Sequence, residues 1–82
     1  MIRAYIENAM KHAHYEIIDQ PNEPYCGEIP GLQGLLATGA TLEECRANLE
    51  DALDAWLMLG LQLGHRIPEM DGIALERLKV SA

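Results

Sequence analysis

Cationic side chains are scarce in this chain. Lysine and arginine number 6 against 13 aspartates and glutamates, giving a formal net charge of −7 over 82 residues. The six, Arg3, Lys11, Arg46, Arg66, Arg77 and Lys79, are scattered. No basic patch offsets repulsion by a polyphosphate, so direct binding to nucleic acid or to an anionic membrane is not expected. A basic protein is the natural counterpart of such a surface. Cysteine is nearly absent: Cys26 and Cys45 are the only two, too few for a disulfide framework. Long apolar runs are missing as well. Trp56 to Leu61 is far too short to span a bilayer. The first twelve residues carry Arg3, Glu7, Asn8, Lys11 and His12, unlike a secretory signal. The expectation is a cytoplasmic protein with free thiols.

Reactive motifs are lacking too. His12, His14, Cys26, Cys45 and His65 are the nitrogen and sulfur donors a zinc ion would need, yet no Cys-x-x-Cys or His-x-x-x-His spacing links them. No histidine has an evident reason to lie beside Cys26, which argues against a thiol nucleophile. Gly27, Gly31, Gly34 and Gly39 match neither a Gly-x-Gly-x-x-Gly nor a Walker spacing and read as turns and bulges. The expectation is a non-enzyme with no catalytic residue, no metal and no cofactor.

What is present is an ordered set of short elements. Ile2, Tyr5, Ile6, Ala9, Met10 and Ala13 recur at three and four, the mark of an amphipathic helix over Met1 to Ala13. Arg3, Glu7 and Lys11 lie on its other face. His14 to Asp19 reads as a strand, ended by Gln20-Pro21-Asn22-Glu23-Pro24. Tyr25 to Ile29 is a second strand and Leu35 to Thr38 a third, with Pro30-Gly31 between them. Short turns make the three an antiparallel meander.

Thr41 followed by Glu44 is a Thr-x-x-Glu capping box. Glu43 and Glu44 also favour the positive end of a helix dipole. Leu42, Cys45, Leu49, Ala52, Leu53, Trp56, Leu59, Gly60 and Leu63 form the expected sheet-facing stripe, and Gly64 with Pro68 ends the helix. From Trp56 to Leu63 only Gln62 is plainly polar, so the second half of the helix is apolar on most sides. The extra cover comes either from the first helix or from another subunit; with the subunit favoured, Trp56, Leu57, Met58 and Leu61 are expected to join copies of the chain in a homo-oligomer, a dimer or a tetramer. Ile73 to Ala82 reads either as a fourth strand through Leu78-Lys79-Val80 or as a frayed tail. The fold class is α+β: a three-stranded antiparallel sheet covered by one long helix, with a short N-terminal helix, in a single domain over residues 1–82.

One stretch resembles a known family. Gly27-Glu28-Ile29-Pro30-Gly31-Leu32-Gln33-Gly34, then Ala37-Thr38-Gly39-Ala40-Thr41-Leu42-Glu43-Glu44-Cys45, is similar to the HicB family of type II antitoxins. The likeness lies in a Pro-Gly-Leu-x-Gly turn and a Thr-x-Gly-x-Thr-x-Glu-Glu step into a helix, and it runs from about Tyr25 to Gly72. It implies a partial RNase H-like fold and a function: binding and silencing a small basic HicA-like toxin that cleaves messenger RNA. No separate DNA-binding domain is expected, because residues 65–82 show no second helical pattern. RNase H chemistry is not expected either, since Glu16 and Asp19 are three apart and point to opposite faces of a regular strand. Tyr25, Glu28, Glu43, Glu50 and Asp54 are the candidates for the toxin interface. The competing expectation is an oligomeric protein- or ligand-binding domain of the same fold with no toxin partner.

Overall fold

The structure is a computed structural model that describes residues 2–70. Its elements run α1 (Ile2–Lys11), β1 (His14–Ile17), β2 (Tyr25–Glu28), β3 (Leu36–Gly39) and α2 (Leu42–Leu63). The strands pair antiparallel in the order β1-β2-β3, which is the meander expected. The expected strand over residues 73–82 lies outside the described residues.

Pleat parity divides the sheet into two faces. Tyr15 stands opposite Gly27, and Gly27 opposite Ala37. A Cβ added at Gly27 would lie 3.2 Å from Leu49 Cδ2 of α2, so this row faces the helix. The other face carries His14, Glu16, Cys26, Glu28, Leu36 and Thr38 and is open to solvent. There the Thr38 hydroxyl donates to Glu23 Oε1 at 2.7 Å.

Strand ends follow from backbone donors. β1 stops at Ile17 rather than Asp19 because Ile18 N–H turns to Pro24 O at 2.7 Å and Gln20 N–H to Ile18 O at 2.9 Å. Leu35 belongs to a turn rather than to β3: Leu32 N–H donates to Ile29 O and Leu35 N–H to Leu32 O. These turns bring Ile29, Leu32 and Leu35 into the core, each at most 5% exposed.

α2 starts where the capping box places it. Thr41 is extended at φ −130° and its Oγ1 accepts from Glu44 N–H at 3.0 Å. Gly39 must lack a side chain here, since a Cβ would come within 2.4 Å of the Cys45 backbone nitrogen. The helix ends at Gly64, which adopts the left-handed conformation at φ 73°, as αL caps require.

Length decides how α2 is covered. Its 22 residues span about 33 Å, whereas each four-residue strand spans about 13 Å. The first half therefore lies on β2 and β3, and the second half passes beyond the sheet. There α1, the 29–35 turns and Ile67 with Met70 close the core around it. Tyr5, Ile6, Ala9 and Met10 supply the buried face of α1, as its spacing predicts. The Tyr5 hydroxyl donates to Pro68 O. Among the described residues no helix is long and apolar enough to cross a membrane.

The expected stripe is partly corrected. Cys45, Leu49, Leu53 and Gly60 are buried as expected. Leu42, Leu59 and Leu63 are instead 49%, 57% and 60% exposed. Leu57, expected on an outer face, is 0% exposed. The cover over the second half comes from α1, on the side away from β3, and from Ile67 and Met70. The buried line therefore runs 45, 49, 53, 57 in steps of four and drifts toward α1.

Candidate docking surfaces on the long helix

The buried line leaves α2 with two unlike flanks. On the α1 side lie Glu43, Glu50, Asp54 and Leu61. On the β3 side lie Asn48, Ala52, Trp56, Leu59 and Leu63. Two contacts fix this orientation: Arg3 of α1 pairs with Glu50 Oε2 at 3.3 Å, and Asn48 Nδ2 donates to Thr38 O of β3 at 2.8 Å.

The α1 side is acidic. Glu43 and Asp54 are exposed and Glu50 is half-buried. Eleven residues separate the outer two, so the carboxylates spread over about 16 Å along the helix. The Arg3–Glu50 pair is open to water on both partners and holds little energy, less than about 1 kcal/mol. Across the whole of α2 five carboxylates face a single guanidinium, that of Arg46. The helix as a whole is therefore negative, and three of its five carboxylates lie on this flank.

The other two interface candidates do not join this flank. Tyr25 and Glu28 stand at opposite ends of β2. Tyr25 is half-buried on the helix side beside Ile17 and Gly39, while Glu28 is on the open face opposite His14 and Leu36. Three residues apart in a strand, they cannot share a face. The structure brings together Glu43, Glu50 and Asp54 and separates Tyr25 and Glu28 from them and from each other.

The β3 side carries no ionisable group from Asn48 to Leu63. Trp56 is half-buried, and beside it a depression of about 320 Å³ is bordered by Gln33, Leu59, His65 and Arg66. Of the four self-association candidates only Trp56 borders this flank. Leu57 is in the core, Leu61 packs against the core on the α1 side, and Met58, 46% exposed, points outward beyond the acids. Leu59 and Leu63 were missed as surface residues. Strict four-residue spacing from Cys45 to Leu57 was the signal that could have found them.

Among the described residues no three His, Cys, Asp or Glu side chains are grouped so as to hold a metal ion. Cys45 is fully buried with its Sγ 3.6 Å from Ala37 O, and burial pushes its thiol pKa up, which favours the inert, protonated form. Cys26 faces the other side of the sheet. Burial also raises the Tyr15 phenol, opposed in part by the Arg46 guanidinium, so Arg46 lies toward the sheet. Glu16 and Glu28 share the open face beside a depression of about 580 Å³. Asp19 lies beyond the end of β1 and joins no carboxylate cluster.

A family model described as UPF0150-like matches residues 4–68, from α1 through the segment that closes over α2. The crystal structure of TTHA0281 from Thermus thermophilus is similar with a TM-score of 0.86. The two chains are 44% identical over 95% of each. No curated protein matches the chain.

Proposed function

The chain belongs to the UPF0150-like family, and from its surface we propose that it acts as an antitoxin of the HicB kind, docking on a small basic RNase and covering its active site. The acidic flank of α2 is the observation that carries this reading. Glu43, Glu50 and Asp54 present carboxylates in a row on a helix that is capped at both ends and seated on the sheet. A preformed row of this kind loses little conformational entropy on docking. Its potential speeds the approach of a basic partner.

The family-like motif supports the same reading by what it builds. Gly31 and Gly34 adopt positive φ, 91° and 81°, and turn the chain so that Leu32 and Leu35 reach the core. The Thr-x-Gly-x-Thr-x-Glu-Glu step then sets the start of α2. The motif thereby fixes where the helix that carries the acidic flank begins. The mechanism is occlusion: the module contributes charge and shape and takes no part in bond chemistry. Its expected location is the cytoplasm, where the messenger RNA is.

The deciding experiment co-expresses the chain with the adjacent gene, which this reading expects to encode a short basic protein. Rescue of growth arrest and a co-purifying complex are the expected results, and a toxin that arrests growth regardless overturns the reading. Within such a complex, Glu50→Lys with Asp54→Lys lowers the association rate at low salt on the order of tenfold and flattens its salt dependence. Unchanged rates remove these residues from the interface. The competing reading, an oligomeric binding domain of the same fold without a toxin, draws on the apolar flank of α2.

A further inference from the structure

We infer that the β3-side flank of α2 is the seat of a second copy of this chain, packed antiparallel about a two-fold axis near Leu59. Trp56, Leu59 and Leu63 recur at three and four, with the small Ala52 and Ala55 one turn earlier. Leu59 and Leu63 are 57% and 60% exposed. A continuous apolar seam on a small acidic protein marks a contact site.

Charge identifies the occupant and its direction. Elsewhere two copies of a chain with net charge −7 repel each other, whereas the α2 residues of this flank, Asn48, Ala52, Ala55, Trp56, Leu59 and Leu63, are uncharged, with Arg66 and Asp51 at its margins. A basic partner gains little from this apolar stretch, whereas a second copy avoids its own repulsion there and brings an acid to meet the arginine. Parallel packing would set Glu43, Glu44, Glu50, Asp51 and Asp54 beside their own counterparts. Antiparallel packing near Leu59 sends the two acidic first halves away from each other.

The same geometry pairs large side chains with small ones. With Leu59 against its own counterpart, Leu63 of each copy lies over Ala55 and Trp56 of the other. Arg66 then comes level with Asp51 and Ala52 of the second copy. Arg66 borders the depression beside Trp56, and Asp51 is exposed at the rim of the seam. The symmetry forms that ion pair twice, as an isologous interface requires. The acidic flank stays free on both copies, so this dimer carries two docking faces.

The test uses the full chain and an oligomer measurement across a range of concentrations, by sedimentation or light scattering. Wild type is expected as a dimer. Leu59→Glu is expected to weaken it by about 30-fold or more, the loss of a central anchor, with an unchanged far-UV spectrum because Leu59 is outside the core. Arg66→Glu weakens the dimer, and adding Asp51→Arg restores it. In a Cys26→Ser background, Leu59→Cys forms a disulfide-linked dimer and Met58→Cys does not. A wild-type monomer at all concentrations overturns the proposal, as does a dimer indifferent to Leu59→Glu. A monomer whose Leu59→Glu variant loses toxin binding also overturns it and gives the seam to the toxin. Glu50→Lys with Asp54→Lys leaves the dimer intact, so failure of this proposal and failure of the antitoxin reading are told apart.

Discussion

Leu57 and Leu59 are the same residue type, two positions apart on one helix, and they have opposite fates. Leu57 is 0% exposed and Leu59 is 57% exposed. Nothing in the residues themselves distinguishes them. The difference is made by what lies beside each flank: α1 and the core around it against one, and a depression open to solvent beyond the edge of β3 against the other. An apolar residue on a helix is a core residue only where another element arrives to cover it.

Substitutions can break or sharpen that contrast. Leu57→Ala should destabilise the fold by about 2–5 kcal/mol, the range for a large-to-small change in a closed core. Leu59→Ala, measured at a concentration at which the chain is monomeric, should change it by less than about 1 kcal/mol. Urea unfolding of the pair decides the matter, and equal losses would mean that the two flanks are covered alike. A smaller effect tests what starts the helix that carries the flanks. Thr41→Ala removes the acceptor of the Glu44 amide and should cost about 1 kcal/mol, seen as a lower urea midpoint with an unchanged slope. The smallest effect belongs to the acidic side. Arg3→Ala removes the ion pair that marks where α1 meets that flank and should shift stability by less than about 1 kcal/mol. A larger loss would show that Arg3 holds α1 in place through more than its pair with Glu50.

Much of this architecture was legible in the residues. Thr41, Glu44 and Gly64 act locally, so the bounds of α2 could be read without knowing what it packs against. The proline and glycine turns placed the three strands to within a residue or two, and spacing identified the buried face of α1. Contacts distant in sequence were not legible. The stripe on α2 was drawn as though the sheet covered its whole length, yet the strands are too short for that and α1 takes over. That change of cover rotates the buried face, which is why Leu57 and Leu61 turned inward while Leu59 and Leu63 turned out. For the acidic flank, Glu43, Glu50 and Asp54 were readable together because helical spacing relates them. Tyr25 and Glu28 could not belong with them, since strand parity sends the two to different faces.

The bond from the Tyr5 hydroxyl to Pro68 O joins residues 63 apart. Closing so long a loop costs more chain entropy than closing any of the turns between the strands. The meander and α2 can assemble from near neighbours in the chain, whereas α1 has nowhere to dock until α2 and the segment after it are in place. The amino-terminal helix is then the clasp that shuts last, and a nascent chain keeps the inner face of the second half of α2 uncovered until synthesis has passed Pro68.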